Sequence, residues 1–293
     1  MAVLEKGTWY PNKEANNLSY EDSFELPKAA EQGRYHLYMS FACPFAHRPY
    51  LVINYLGLNN AITVSSVAAK RYSDGWLFDD FNVDPLYSSQ NLVELYQREN
   101  PNYTGRVTVP VLWDKQEHTI VGNDSSSIAM ELATKWLPLA KNKVELVPNS
   151  LREEIEKLNE WLHLNVNRKV YHVGFATAQA EYDQASDTLF DAMGQLDRRL
   201  NQTCYLHGSN ITLSDLFLLP ILVRFEAVYE VHFKANKEPL KNFENLYRYM
   251  LDLLSQESIR KTIDIEYMKQ HYYFSHKHIN PYGIVPAGPA ISW

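Results

Sequence analysis

The chain predicts an α/β fold followed by an all-α one, and three observations carry that prediction. Strand-like and helix-like segments alternate through the first half, a cysteine-proline pair interrupts the first alternation, and beyond about residue 142 only amphipathic helical patterns remain. The 293 residues, 45% apolar and 22% charged, suffice for two packed domains.

Residues 1–33 are polar and irregular, with Asn16-Asn17 and Pro27, and end at Gly33; they are expected to form an extension. Residues 34–40 (RYHLYMS) alternate aromatic and aliphatic with polar side chains, as a strand does. Cys43 and Pro44 interrupt that pattern. Over residues 45–56 the apolar positions recur at helical spacing, Pro44 suits a first turn and Gly57 a C-terminal stop, so Cys43 is predicted at a helix N-cap. Residues 61–68 form a second strand, and residues 86–98 a helix closed by Asn100-Pro101. Residues 107–113 and 119–121 form a hairpin-like pair in which Pro110 requires an edge, a bulge or a cis bond. Asp124 to Ser127 offer caps for a helix over residues 128–136. A strand, Cys-Pro, a helix and a later strand pair with an internal proline is how a thioredoxin-like domain displays its thiol, and residues 34–141 are assigned to one. Helical patterns at 151–165, 180–200, 214–229 and 243–255 make residues 142–293 all-α, with a Pro- and Gly-rich extended tail from Asn280. Thr212 to Asp215 matches the capping box of a helix start.

A net charge of −7, with 28 scattered Lys and Arg, argues against a nucleic-acid partner. No signal-peptide pattern opens the chain, and no apolar run reaches the length that crosses a bilayer. The best candidate run, residues 213–223, contains Asp215 and Pro220 and reads as a buried helix. Two cysteines in so long a chain make no disulfide framework and suit a reducing, cytoplasmic setting.

A helix N-terminus presents unpaired amides and the positive end of the macrodipole, which favour thiolate over thiol. Cys43 is therefore expected to be a nucleophile. Three residues on stands Ala46, so the dithiol Cys-x-x-Cys pattern is absent and another thiol must release any disulfide formed on Cys43. Cys204 is read as a structural cysteine, which leaves a small diffusible thiol as the simpler partner. His271, His276 and His278 cluster in sequence but lack a cysteine or carboxylate at ligand spacing, so no metal is expected.

The segments Tyr38-Met39-Ser40-Phe41-Ala42-Cys43-Pro44-Phe45-Ala46-His47-Arg48, Gly75-Trp76-Leu77-Phe78-Asp79-Asp80, Gly105-Arg106-Val107-Thr108-Val109-Pro110 and Ser275-His276-Lys277-His278-Ile279-Asn280-Pro281 resemble the glutathionyl-hydroquinone reductases, the Xi-class glutathione transferases. The resemblance implies a thioredoxin-like domain followed by an all-helical glutathione-transferase C-terminal domain. It implies glutathione as co-substrate, a glutathionyl-hydroquinone as substrate and a homodimer as the working form. An aryl thioether yields its sulfur to a thiolate only after the ring is protonated to a ketone tautomer, and Tyr171 matches the family's proton donor. Tyr229 and Tyr272 match tyrosines that steady the Cys43 thiolate. Trp76, Arg106, Val107, Thr108, Val109, Asp124 and Ser125 match the glutathione-binding positions. Backbone groups at Val109 would pair with the cysteinyl part, Arg106 would grip a carboxylate, and Asp124-Ser125 at a helix start would hold the γ-glutamyl charges.

The chain departs from the family at Phe45, where Trp is usual, at Asp124, where Glu is usual, and at Phe274, where Arg is expected. Two other functions fit a thiol so displayed: an Omega-type thiol transferase or dehydroascorbate reductase, and a non-catalytic glutathione-binding module.

Overall fold

A computed structural model describes residues 2–11, 24–291 and 293. The chain divides into two compact units, Met1–Lys143 and Val144–Trp293.

The first unit is built on a four-stranded sheet in the order β4-β3-β5-β6, with β3 (Tyr35–Met39) parallel to β4 (Ile62–Ser66) and antiparallel to β5 (Val111–Asp114), which pairs antiparallel with β6 (Thr119–Gly122). That β-α-β unit followed by a β-hairpin and a helix is the expected thioredoxin-like topology. All five residues of β3 are buried, His36 included; its two ring nitrogens lie 2.7 and 2.8 Å from the hydroxyls of Thr63 and Ser65 on β4. Burial pushes the His36 pKa down to about 4.

Helix α1 (Pro44–Leu56) starts at Cys43 and stops at Gly57, whose left-handed φ of 67° lets its amide turn back to Asn54. Helix α2 (Leu92–Glu99) begins six residues later than the apolar pattern suggests. The Asp84 carboxylate accepts from the amides of Leu86 and Ser89 and from the Tyr38 hydroxyl, which winds residues 84–89 into a turn. Asn91 Oδ1 then caps the helix by accepting from the Glu94 amide at 3.1 Å. Residues 107–110, expected in a strand, stay outside the sheet: Pro110 has no amide hydrogen to give the ladder, and the Val109-Pro110 bond is cis. Helix α3 (Ser125–Thr134) starts three residues early because Asp124 is itself the cap, its Oδ1 accepting from the Ser127 amide at 2.7 Å.

Part of the segment read as irregular is a two-stranded hairpin. β1 (Val3–Glu5) pairs with β2 (Thr8–Tyr10), joined by Lys6 and Gly7 at φ 48° and 73°. Positive φ at both turn positions suits the twist of a hairpin, but a lysine in the first of them is a weak signal in sequence. Asn16 and Asn17 lie outside the described residues.

The second unit is helical: α4 (Arg152–Leu162), α5 (Lys169–Phe175), α6 (Gln179–Leu200), α7 (Leu213–Arg224), α8 (Glu230–His232), α9 (Glu244–Leu254), α10 (Glu257–Arg260) and α11 (Ile265–Ser275). Single π-turns at His163–Asn167 and Phe225–Tyr229 lead into α5 and α8. Every residue of α7 is buried, and the Thr212–Asp215 capping box forms with Asp215 Oδ2 accepting from the Thr212 amide at 2.7 Å. The sequence pattern misses α5, α8, α10 and α11. The first three are short, and α11 buries tyrosines, a histidine and a lysine where an aliphatic stripe would be recognised. Among the described residues no helix is long and apolar enough to cross a membrane.

Candidate active site

Cys43 has extended backbone angles, and its half-buried side chain closes the first turn of α1, Sγ standing 3.4 Å from the Ala46 amide. On its other side the thiol lies 3.8 Å from the Val109 carbonyl, at the cis-proline turn. The amide and the helix end favour a charged sulfur, whereas the carbonyl interacts well only with a neutral thiol that can donate. Residue 46 supplies a methyl group and an amide to this turn, and no second sulfur. Cys204, read as structural, is instead an exposed free thiol in the loop after α6, where no core packs on it.

Arg71 was not singled out in the sequence, where it falls in a loop without periodicity. Its guanidinium stands 5.2 Å from the centre of the Trp76 ring. Burial lowers the Arg71 pKa and the charge of Cys43 acts in the opposite sense, so cation and sulfur interact.

Trp76 is buried, and its carbonyl receives the Leu92 amide at the start of α2. Arg106 is exposed; Val107 and Val109 are buried and Thr108 is half-buried. Two tyrosines fix this run from behind. The Tyr96 hydroxyl donates to the Thr108 carbonyl at 3.1 Å, and the Tyr103 hydroxyl to the Arg106 carbonyl at 3.3 Å. At the head of α3, Asp124 is exposed and Ser125 buried, with Arg48 Nη1 3.4 Å from the Ser125 hydroxyl and 3.1 Å from that of Ser126. Phe45, the departure from Trp, lies under this guanidinium, 4.9 Å from ring centre to Cζ.

In the second unit the three expected tyrosines meet at their hydroxyls. Tyr272 on α11 stands 2.6 Å from Tyr171 on α5 and 3.1 Å from Tyr229 in the π-turn. Tyr229 and Tyr272 are buried, while Tyr171 is half-buried. Burial, reinforced by charge on Tyr272, holds the Tyr229 pKa well above the ordinary phenol value, so it stays protonated and its proton is available to the chain. The Phe233 ring stacks on Tyr229 at 5.3 Å. It occupies the space above Gly174, where any larger residue would collide with it. Behind this group His232 Nε2 and His276 Nδ1 are 3.0 Å apart, and burial takes the His232 pKa down to about 4. Tyr171 also lines an open pocket of about 460 Å³ with Lys169, His172, Phe175 and Glu181.

His271, His276 and His278 belong to this aromatic cluster, and among the described residues no three His, Cys, Asp or Glu are grouped to hold a metal. Phe274, the departure from Arg, lies 4.2 Å from the Lys277 ammonium.

Residues 42–135 match the family described as glutathione S-transferase, N-terminal domain, and residues 179–251 the corresponding C-terminal domain. The fold and the thiol thus place the chain among the glutathione transferases. The chain is 41% identical over 264 residues to the glutathionyl-hydroquinone reductase YqjG of Escherichia coli, covering 89% of this chain and 80% of that one. It superposes on the glutathione-bound structure of YqjG with a TM-score of 0.92 at 37% identity, covering 99% and 96% of the two chains. The Xi-class transferase of Natrialba magadii aligns with a TM-score of 0.95 at 36% identity over 100% of this chain and 94% of that one. The chain belongs to the glutathionyl-hydroquinone reductases, the Xi class of glutathione transferases.

Proposed function

We propose that the chain reduces S-glutathionyl-hydroquinones to hydroquinones at the expense of glutathione, with Cys43 as nucleophile. Tyr171 protonates the ring carbon that bears sulfur, converting the aryl thioether to a ketone tautomer. The Cys43 thiolate then attacks the glutathione sulfur, a carbon–sulfur bond breaks, and its electron pair returns to the ring as the hydroquinone re-forms. Cys43 is left in a mixed disulfide with glutathione. A second glutathione thiolate attacks that disulfide, releasing oxidised glutathione and the free Cys43 thiolate. In sum, the thioether and one glutathione give hydroquinone and one disulfide, and the proton lost by the thiol balances the one gained by the ring.

The observation that carries this reading is the lone thiol at the head of α1, within 3.4 Å of an amide donor and with alanine at position 46. A monothiol needs an external thiol to turn over, which glutathione supplies. The hydroxyl chain through Tyr171, Tyr272 and Tyr229 supports the acid step, because the Tyr171 phenol is oriented by its bond to Tyr272, and Tyr272, in contact with Tyr229, can pass a proton back to it. Trp76, Arg106, Val107, Thr108, Val109, Asp124 and Ser125 hold glutathione, with Arg71 over the Trp76 ring as an added cation that feels the charge of Cys43.

The protein works as a cytoplasmic homodimer in this reading, and sedimentation of the purified chain tests that state. The reaction is tested by incubating the chain with a glutathionyl-hydroquinone and glutathione. Hydroquinone and oxidised glutathione should appear in equal amounts, and a chain that leaves the thioether intact would sink the proposal.

A further inference from the structure

We propose that the amino-terminal hairpin is a working part of the glutathione site, with its backbone holding the turn before Arg106 and with Trp9 as a positioning residue for Trp76. This inference rests on the glutathione-dependent reading above.

The hairpin is anchored to two loops that each carry an expected glutathione-binding residue. On one side, β1 pairs with the turn before Arg106: the Leu4 amide donates to the Gly105 carbonyl and the Gly105 amide to the Leu4 carbonyl, both at 2.9 Å. The Gly7 amide reaches the Tyr103 carbonyl at 3.0 Å, and the Lys6 amide the Thr104 hydroxyl at 2.9 Å. On the other side, Trp9 Nε1 donates to the Ser73 carbonyl at 2.8 Å. The Trp9 ring also lies against Gly75, whose φ of 86° and missing side chain let it approach. Between the two loops, Gln97 of α2 donates to the Gly7 carbonyl at 2.8 Å.

The segment 71–76 therefore reaches Trp76 with Trp9 beneath it, and the segment 103–106 reaches Arg106 as an added strand partner of β1. Neither loop has a regular ladder of its own. Without the hairpin, Trp76 would keep its bond from the Leu92 amide and Arg106 its bond from Tyr103, but the turns leading to both would lose their cross-chain anchors, and more of their ordering would fall to the ligand. The match to the transferase N-terminal domain starts at residue 42, so the hairpin, like β3, lies outside the matched residues. Val3 and Leu4 are fully buried, which makes β1 a built part of the unit.

Binding and alkylation separate this role from a merely stabilising one. In Trp9→Ala, the glutathione dissociation constant by calorimetry and the glutathione KM should rise about fivefold, the factor that one neutral hydrogen bond is worth. kcat at saturating glutathione and the rate of Cys43 alkylation by iodoacetamide should stay within about twofold, since the first turn of α1 is untouched. Trp9→Phe keeps the ring on Gly75 and should recover part of the affinity. Unchanged affinity in Trp9→Ala overturns the inference, as does a variant whose alkylation rate and kcat change together with KM. Absence of glutathione binding by the wild-type chain overturns this inference and the proposed function together.

Discussion

Cys43 and Tyr171 divide the proposed chemistry between a nucleophile and an acid, and a one-atom change distinguishes their tasks. Tyr171→Phe removes the hydroxyl 2.6 Å from Tyr272 and keeps the ring. Turnover of a glutathionyl-hydroquinone should fall about 10²–10⁴-fold, the range for a lost general acid, while exchange of Cys43 with a simple glutathione disulfide proceeds at nearly the wild-type rate. Equal loss of both activities would show that the tyrosine holds the structure and does not pass a proton. At this scale the sequence is readable where chemistry depends on spacing: Cys43, Pro44 and Ala46 together announce a lone thiol at a helix start. It is silent where function depends on approach through space. Arg71, Tyr96 and Tyr103 reach Trp76, Thr108 and Arg106 from loops or a helix whose pattern says nothing about their neighbours. Tyr171, Tyr229 and Tyr272, far apart in sequence, were gathered by family resemblance, and only the fold brings their hydroxyls together.

Helix starts decide where these residues stand, and capping atoms decide the starts. Asp215 is fully buried, and its two oxygens accept from the amides of Leu206 and Thr212, the Thr212 hydroxyl and the Tyr249 hydroxyl. Asp215→Ala leaves four buried donors without an acceptor and should cost about 3–5 kcal/mol in urea unfolding, far above an exposed cap. A loss below about 1 kcal/mol, the usual worth of an exposed cap, would mean that the box is only local. The sequence discloses this motif because its residues are three apart. The delayed start of α2 escapes it, because Asp84 collects a hydroxyl from β3, distant in the chain, along with two nearby amides. The hairpin at β1 and β2 escapes it too: strands of three residues around a Lys-Gly turn carry little periodicity. By contrast α1 and α6 are long and amphipathic enough to be read nearly to the residue, while α7 is read at its start but ends at Arg224, where a π-turn takes over the rest of the pattern.

For the whole molecule, buried neutral histidines predict acid sensitivity. His36 and His232 both have pKa values near 4, taken down chiefly by burial, against an ordinary value of about 6.5. Between those limits the unfolded chain binds more protons than the folded one, so the stability they contribute is complete above about pH 6.5 and is lost as pH falls toward 4. Urea midpoints across this window should decline, and His36→Gln should flatten the decline; a flat profile would contradict neutral burial. The α/β-then-all-α architecture is legible from the change in periodicity near residue 142, and the family from a few motifs. The central claim, that a thiolate at Cys43 takes the glutathione sulfur directly, is tested most directly by intact-mass and peptide mass spectrometry of the chain mixed with a glutathionyl-hydroquinone and no free glutathione. The account predicts one glutathionyl group on Cys43, none on the exposed Cys204, and its removal when glutathione is added. Hydroquinone release with Cys43 unmodified, or undiminished turnover by Cys43→Ser, would contradict it.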